Sequence, residues 1–451
     1  MISFGMGFIY SLVLIKFLSA FAEPLAWFCV FLIQVALLGA TAACFMEYSH
    51  LKKSHDAEDK KEASGTLGLT ILFGILACAF ACCVVCGRDS LKKAIDVIDA
   101  AADFIDDNKR VILVPIFYLF FSLIIMAIWM GAFACVASLN DIKVGADQSV
   151  VPQNKDITWT RKTTYMGLFM LFGILWLLAY LDYTSRFIVM ASAATYYFNS
   201  GAGSTETDSD GQPVDGEAEL MYAIKIAHLN HAGSIAFGSF IIAVVQMIEL
   251  IFMYFAKQAK QAGGDNQAVK IIIACGECIL KCIEKIVDYI NSAAYAYMAV
   301  TGNNFCSSAW NGFLLNVKHC MEFAFANTLA KVFILLGKVA LTVGNCFSFL
   351  FILKHVTKSQ VNSVAGPVVI VGIISFFIAS LFLGIFETAV MSLMTCLSID
   401  TEVNKEAKYG PQTFRDKADA INKGQDTQRG TKKQKGGKSD VEQPLAPNQV
   451  A

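Results

Sequence analysis

The sequence predicts an all-α, polytopic membrane protein, and three observations carry that reading. The 451 residues are 56% hydrophobic, with a mean hydropathy of +0.54. Only 16% are charged, where soluble domains carry about a quarter. The apolar residues gather into runs of the length, about 20 residues, that a helix needs to cross the hydrocarbon core. Alternating ten-residue strands of a barrel are absent, so helices are what can close the backbone hydrogen bonds in lipid.

Nine such runs follow one another, at 2–21, 25–46, 66–86, 111–138, 165–198, 231–256, 271–300, 329–352 and 363–397. The first meets the second with no cleavage-like stretch between them, so it reads as a span and not as a removed leader. The seventh is the most polar, with Glu277, Lys281, Glu284, Lys285 and Asp288. Its first half also fits an amphipathic helix on the membrane surface, its charges paired at i,i+4. Residues 199–220 are small and acidic, as a flexible connector would be. Residues 1–397 therefore read as a transmembrane domain and 398–451 as a polar, disordered cytoplasmic tail. The tail carries Arg429, Lys432, Lys433, Lys435 and Lys438, a solvated cluster that also suits an anionic leaflet.

A formal net charge of −1 gives no reason to expect a nucleic-acid partner. No phosphate-binding G-x-x-x-x-G-K-[ST] loop, H-E-x-x-H pair or N-x-[ST] glycosylation site occurs. No paired catalytic residues stand at useful spacing, so the sequence does not read as an enzyme, and no cofactor is expected. The 14 cysteines lie mostly inside apolar runs, unlike a secreted disulfide scaffold. Cys78, Cys82 and Cys86 share one helical face, as do Cys275, Cys278 and Cys282. One lipid-embedded helix does not wrap a zinc ion. Apolar packing is the main reading of both sets, with acylation near the membrane edge as the other.

Charges inside a span cost about 2.5–3.5 kcal/mol each on insertion scales, and they usually face a bundle interior or a wet cavity. Gln246 and Glu249 lie one turn apart in the sixth run, Asp182 and Arg186 are i,i+4 in the fifth, and Glu387 sits in the ninth. Each of these lines a cavity or makes a structural contact between helices. Aromatic residues make up 12% of the chain. Most belong to interfacial belts and packing, but a subset around a cavity would hold a quaternary ammonium by cation–π attraction.

Four stretches resemble the choline transporter-like family of solute carriers. They are CFMEYSHLKK (44–53), HAGSIAFGSFIIAVVQMIE (231–249), CIEKIVDYINSAAYAYMAVTGNNFCSSAWNGFLL (282–315) and KVFILLGK (331–338). The resemblance implies a ten-span fold with both termini in the cytoplasm. It also implies facilitated movement of choline, or ethanolamine, across the plasma membrane for phospholipid synthesis. The family topology puts 87–110, 199–230, 301–328 and the tail in the cytoplasm. Relative to that pattern the chain begins at the second span, without the first span and the large extracellular loop. The family often has a basic residue near position 249, where this chain has Glu249.

The candidate substrate-binding residues are Trp129, Trp176, Tyr180, Gln246, Glu249, Tyr295 and Tyr297. The two tryptophans fall where family members often have Trp; the others rest on chemistry and position. Gly302, Asn304, Phe305 and Cys306 form a separate motif, read as a helix cap or as a gate hinged at Gly302. The leading function is transport of choline or a related cationic amine in contact with membrane lipids. The alternative is a membrane adaptor that keeps the fold and moves nothing. A continuous polar and aromatic cavity between spans separates the two.

Overall fold

The computed structural model describes Tyr10 and residues 22–53, 57–144, 155–202, 204, 215–262, 267–355, 365–405 and 407–411. Among the described residues the chain forms α1 (Ala22–Lys53), α2 (Ala57–Cys86), α3 (Arg88–Asp107), α4 (Leu113–Ala137), α5 (Arg161–Asn199) and α6 (Leu220–Lys225). Then follow α7 (Ala232–Ala262), α8 (Gln267–Thr301), α9 (Phe305–Lys318), α10 (Cys320–His355) and α11 (Ala365–Asn404). A short antiparallel ribbon, β1 (Asp141–Val144) with β2 (Lys155–Thr158), joins α4 to α5.

Seven described helices are long and apolar enough to cross a membrane: α1, α2, α4, α5, α7, α10 and α11. Of the nine apolar runs, the first lies outside the described residues except for Tyr10, whose hydroxyl meets Ser348 Oγ at 2.6 Å. The seventh is one unbroken helix of 35 residues, α8. It is long enough to span, but its charges separate it from the other seven by composition. With 39 and 40 residues, α5 and α11 are about 60 Å long, well beyond the hydrocarbon thickness of about 30 Å. On α1 and α2, apolar residues such as Phe31, Phe45, Leu72 and Ile75 are exposed, as lipid-facing residues are. Both cysteine sets named above are exposed as well.

Contacts between helix ends fix which ends lie together. Lys93 of α3 pairs with Glu322 at the start of α10 at 3.8 Å. The Ala218 N–H donates to Asn108 Oδ1 at 3.1 Å. Lys318 at the end of α9 meets Glu402 near the end of α11 at 2.7 Å. All four segments that the sequence resemblance puts in the cytoplasm therefore begin at one end of the bundle.

That end is more ordered than the sequence suggested. The stretch 87–110, expected as a connecting loop, holds the helix α3. It is amphipathic, with Leu91, Ala94, Val97, Ile98, Ala101 and Phe104 buried in one cluster with Ala26 and Cys29 of α1, Phe333 of α10 and Leu393 of α11. Its aspartates obscure the apolar spacing in a hydropathy reading. Asp107 closes the helix. Partial desolvation holds its carboxyl above the usual range, and the charge of Asp103 adds to the effect.

The last helix runs past residue 397 to Asn404, and the chain then folds back. Asp400, almost fully buried, accepts from the Tyr197 hydroxyl at 2.9 Å and from the backbone N–H groups of Lys408 and Tyr409, both at 3.0 Å. Gly410 N–H donates to the Tyr197 carbonyl at 3.0 Å. Residues 407–411 thus form a strap across the ends of α5 and α11. The basic cluster of the tail lies outside the described residues.

Candidate substrate cavity

About halfway along α8 and α11, close to where α4 begins and about a third of the way along α10, a cavity of about 550 Å³ opens between helices. This volume falls in the range of small-molecule sites, about 300–1,000 Å³. Its lining is charged. Asp182 and Arg186 come from α5, Lys285 and Asp288 from α8, Lys331 from α10 and Glu387 from α11. Tyr289, Ser292, Ser380 and Thr388 add hydroxyls, and Pro115, Val189 and Met190 are among the apolar wall.

The charges are only partly matched to one another. Arg186 Nε meets Asp182 Oδ2 at 2.9 Å, one helical turn away, and Arg186 Nη1 reaches Asp288 Oδ1 at 3.5 Å. The Tyr183 hydroxyl donates to Asp288 Oδ1 at 2.7 Å, and the guanidinium lies 5.4 Å from the Tyr183 ring centroid. One cation therefore ties two carboxylates and an aromatic ring. Glu387 has no ion pair or hydrogen bond among the described residues; its influence on Arg186 is exerted at longer range.

A second cavity, of about 450 Å³, lies on the other side of this tie. It shares Asp182, Arg186, Lys285 and Asp288 with the first, and adds Leu175 and Leu178 of α5, Gln246 of α7 and Glu284 of α8. The Gln246 amide donates to Glu284 Oε1 at 3.2 Å. The Arg186 cluster is the boundary between two chambers arranged along the same face of α5.

The residues expected to bind substrate are not gathered in one place. Gln246 lines the second cavity. Trp176 and Tyr180 line a separate apolar groove of about 340 Å³ with Gly173, Leu177 and Ala236, and the Trp176 indole donates to the Ala236 carbonyl at 3.0 Å. Trp129 donates to the Met170 carbonyl at 3.0 Å and stacks on Phe133, so it joins α4 to α5. Glu249, half-buried one turn beyond Gln246, is absent from the linings of all three cavities. Tyr295 is fully buried and donates to the Ile235 carbonyl at 3.1 Å. Tyr297 packs beside Gly312 of α9.

The motif at 302–306 is a helix junction. Gly302 ends α8 with a φ of +70°, a conformation that favours glycine. The Asn304 side chain accepts from the Ser307 N–H at 3.0 Å and caps α9. Phe305 packs on Tyr295 and Phe237, with ring centroids 5.6 Å away in each case, while Cys306 is exposed. The glycine-rich start of α7 fits the same packing, since the Gly238 carbonyl accepts from Asn291 at 3.1 Å.

A family model described as plasma-membrane choline transporter matches residues 71–402, more than half of the chain and every helix that lines the cavity. The chain belongs to the choline transporter-like family. It is a multi-pass membrane protein of a transporter family, not of an enzyme family. Choline transporter-like protein 1 of Rattus norvegicus is 24% identical over 422 residues, which cover 91% of this chain and 61% of the relative. Choline transporter-like protein 2 of Dictyostelium discoideum is 23% identical over 425 residues, 91% of this chain and 63% of the relative. Choline transporter-like 2 of Drosophila melanogaster is 28% identical over 241 residues, 53% of this chain and 29% of the relative. The chain thus spans less than two thirds of the length of these curated relatives.

Within this choline transporter-like chain, Asp182, Arg186 and Glu387 stand out in the sequence as charges in spans but are not among the candidate site residues named from it. Tyr289 and Lys331 line the cavity without standing out in the sequence. The signal was present in the charges themselves. Asp182 with Arg186 recur at i,i+4, and Glu284, Lys285 and Asp288 fall on adjacent turns of one face.

Proposed function

We propose that this chain carries choline or a related small cationic amine through the plasma membrane, down its gradient and the membrane potential, and so supplies phospholipid synthesis. The single observation that carries this reading is Glu387, a carboxylate without an ion pair in a cavity between helices of a transporter-family fold. A quaternary ammonium has no N–H to donate. It is held by negative charge and by aromatic faces, which Glu387 and Tyr289 offer. Asp182 and Asp288 are already engaged by Arg186.

The two chambers on either side of Arg186 suggest the route. Substrate rests beside Glu387 in the first chamber, and passage to the second requires the ties from Arg186 to α8 to loosen as helices rock against each other. Membrane potential supplies about 2.3 kcal/mol per charge per 100 mV. The alternative, an adaptor that moves nothing, gives no reason for a charged cavity that costs stability to maintain.

The test is uptake of labelled choline into cells that lack choline carriers of their own. Saturable uptake that falls when the membrane is depolarised supports the reading. Correctly inserted protein that takes up no choline and no ethanolamine overturns it.

A further inference from the structure

The cavity holds more positive charge than its own carboxylates engage. Three acids, Asp182, Asp288 and Glu387, face three bases, Arg186, Lys285 and Lys331. Arg186 takes both aspartates. This leaves Glu387 on one wall, and Lys285 and Lys331 on others, with no ion pair among the described residues. A monovalent cation placed beside Glu387 would engage neither lysine, although both side chains line the cavity and are open to an anion.

We infer that Lys331, with Lys285, forms an anion subsite in the same cavity, so that the chain also accepts amines bearing a carboxylate or phosphate a few bonds from the ammonium. This rests on the reading of the cavity as the amine site and names a second class of substrate for it. Lys331 opens the KVFILLGK stretch and Lys285 lies in CIEKIVDY, so the two cations reach the cavity from separate helices, α10 and α8. Three features fit a zwitterion. The unengaged charges are of both signs, they come from three helices, and the cavity of about 550 Å³ has room for a molecule larger than choline. An ammonium is a point-charge partner for a phosphate or carboxylate, and hydrogen bonds to such ionised groups are the strong ones.

The experiment measures inhibition of labelled choline uptake by unlabelled choline, glycine betaine and phosphocholine, with wild type, Lys331→Gln and Lys331→Arg. In wild type the two zwitterions should compete at concentrations within about tenfold of choline itself. Lys331→Gln should lower their potency relative to choline by about tenfold, the loss expected for one charge-assisted contact, and Lys331→Arg should restore it. Zwitterions that fail to compete in a wild type inhibited by choline overturn the inference and leave choline transport standing. So does a Gln variant in which the potency ratio is unchanged. If wild type takes up no choline, the transport reading falls by itself. Binding of labelled phosphocholine to purified protein then decides the subsite: binding that Lys331→Gln loses supports it, and no binding overturns it.

Discussion

Gly238→Ala tests whether the apolar motif at the start of α7 is a packing device or part of the substrate site. A Cβ built on Gly238 would come within 2.6 Å of Phe305 Cε2 and 2.9 Å of Tyr295 Cζ, and closer still to the Tyr295 hydroxyl. Neither ring has room to retreat, because Tyr295 is 0% and Phe305 6% exposed. Overpacking of this kind costs about 1–3 kcal/mol. Pushing the Tyr295 hydroxyl off the Ile235 carbonyl, now at 3.1 Å, adds about 1 kcal/mol. The expected total is about 2–4 kcal/mol, read as a melting temperature several degrees lower for the purified protein in detergent. Adding Tyr295→Phe removes the atom nearest the new methyl group, so the double variant should be more stable than the sum of the two changes by about 1 kcal/mol. The folded fraction of Gly238→Ala should keep its KM for choline. Unchanged melting together with a tenfold rise in KM would refute the packing account and return Tyr295 to the substrate site.

Three further outcomes follow from the geometry. Asp400→Ala removes the acceptor of two backbone N–H groups and a tyrosine hydroxyl; hydrogen bonds to a charged partner are worth about 1.5–3 kcal/mol each, so trypsin should cut at Lys408 at least about tenfold faster, and an unchanged rate would mean that the strap is held elsewhere. Trp129→Phe loses the bond to the Met170 carbonyl and should cost about 1 kcal/mol of stability with no change in choline KM; a large KM change would place Trp129 on the substrate path. Asp107 has a raised folded pKa, so the folded state holds its proton more tightly than the unfolded chain. Its contribution to stability is full at low pH, below the ordinary aspartate value of about 3.9, and is lost as pH rises through the folded value. Asp107→Asn should therefore melt higher than wild type at neutral pH and lose that advantage in acid; an equal advantage at both pH values would show that ionisation is not the cause.

The membrane-spanning helices were legible because hydropathy is a property of single residues summed along the chain. All seven spans among the described helices answer to apolar runs read from sequence. The helix α3 was not legible as such, because its aspartates and lysines lower its mean hydropathy while leaving one face fit to bury. The site was half legible. Asp182 with Arg186, and the acids and bases of α8, announce themselves as charges where lipid is expected. Which of them engage one another depends on how α5, α8, α10 and α11 meet, and no spacing within one helix specifies that. The partners of the aromatic residues were hidden for the same reason. Trp129, Trp176 and Tyr295 are suited to a cation, but each gives its polar hydrogen to a backbone carbonyl of a neighbouring helix, as buried Trp and Tyr commonly do.

The account turns on which carboxylate meets the ammonium. Charges about 5 Å apart at an effective dielectric constant of about 20 interact by about 3 kcal/mol, and partial solvation of the open cavity reduces the net effect to about tenfold or more in KM. The most direct measurement is the apparent KM for choline of Glu387→Gln beside Glu249→Gln, in the same cells and at matched surface amounts. Glu387→Gln should raise KM at least about tenfold or abolish saturable uptake, while Glu249→Gln stays within about twofold of wild type. Loss of affinity in Glu249→Gln with Glu387→Gln unaffected would contradict the assignment of the cavity.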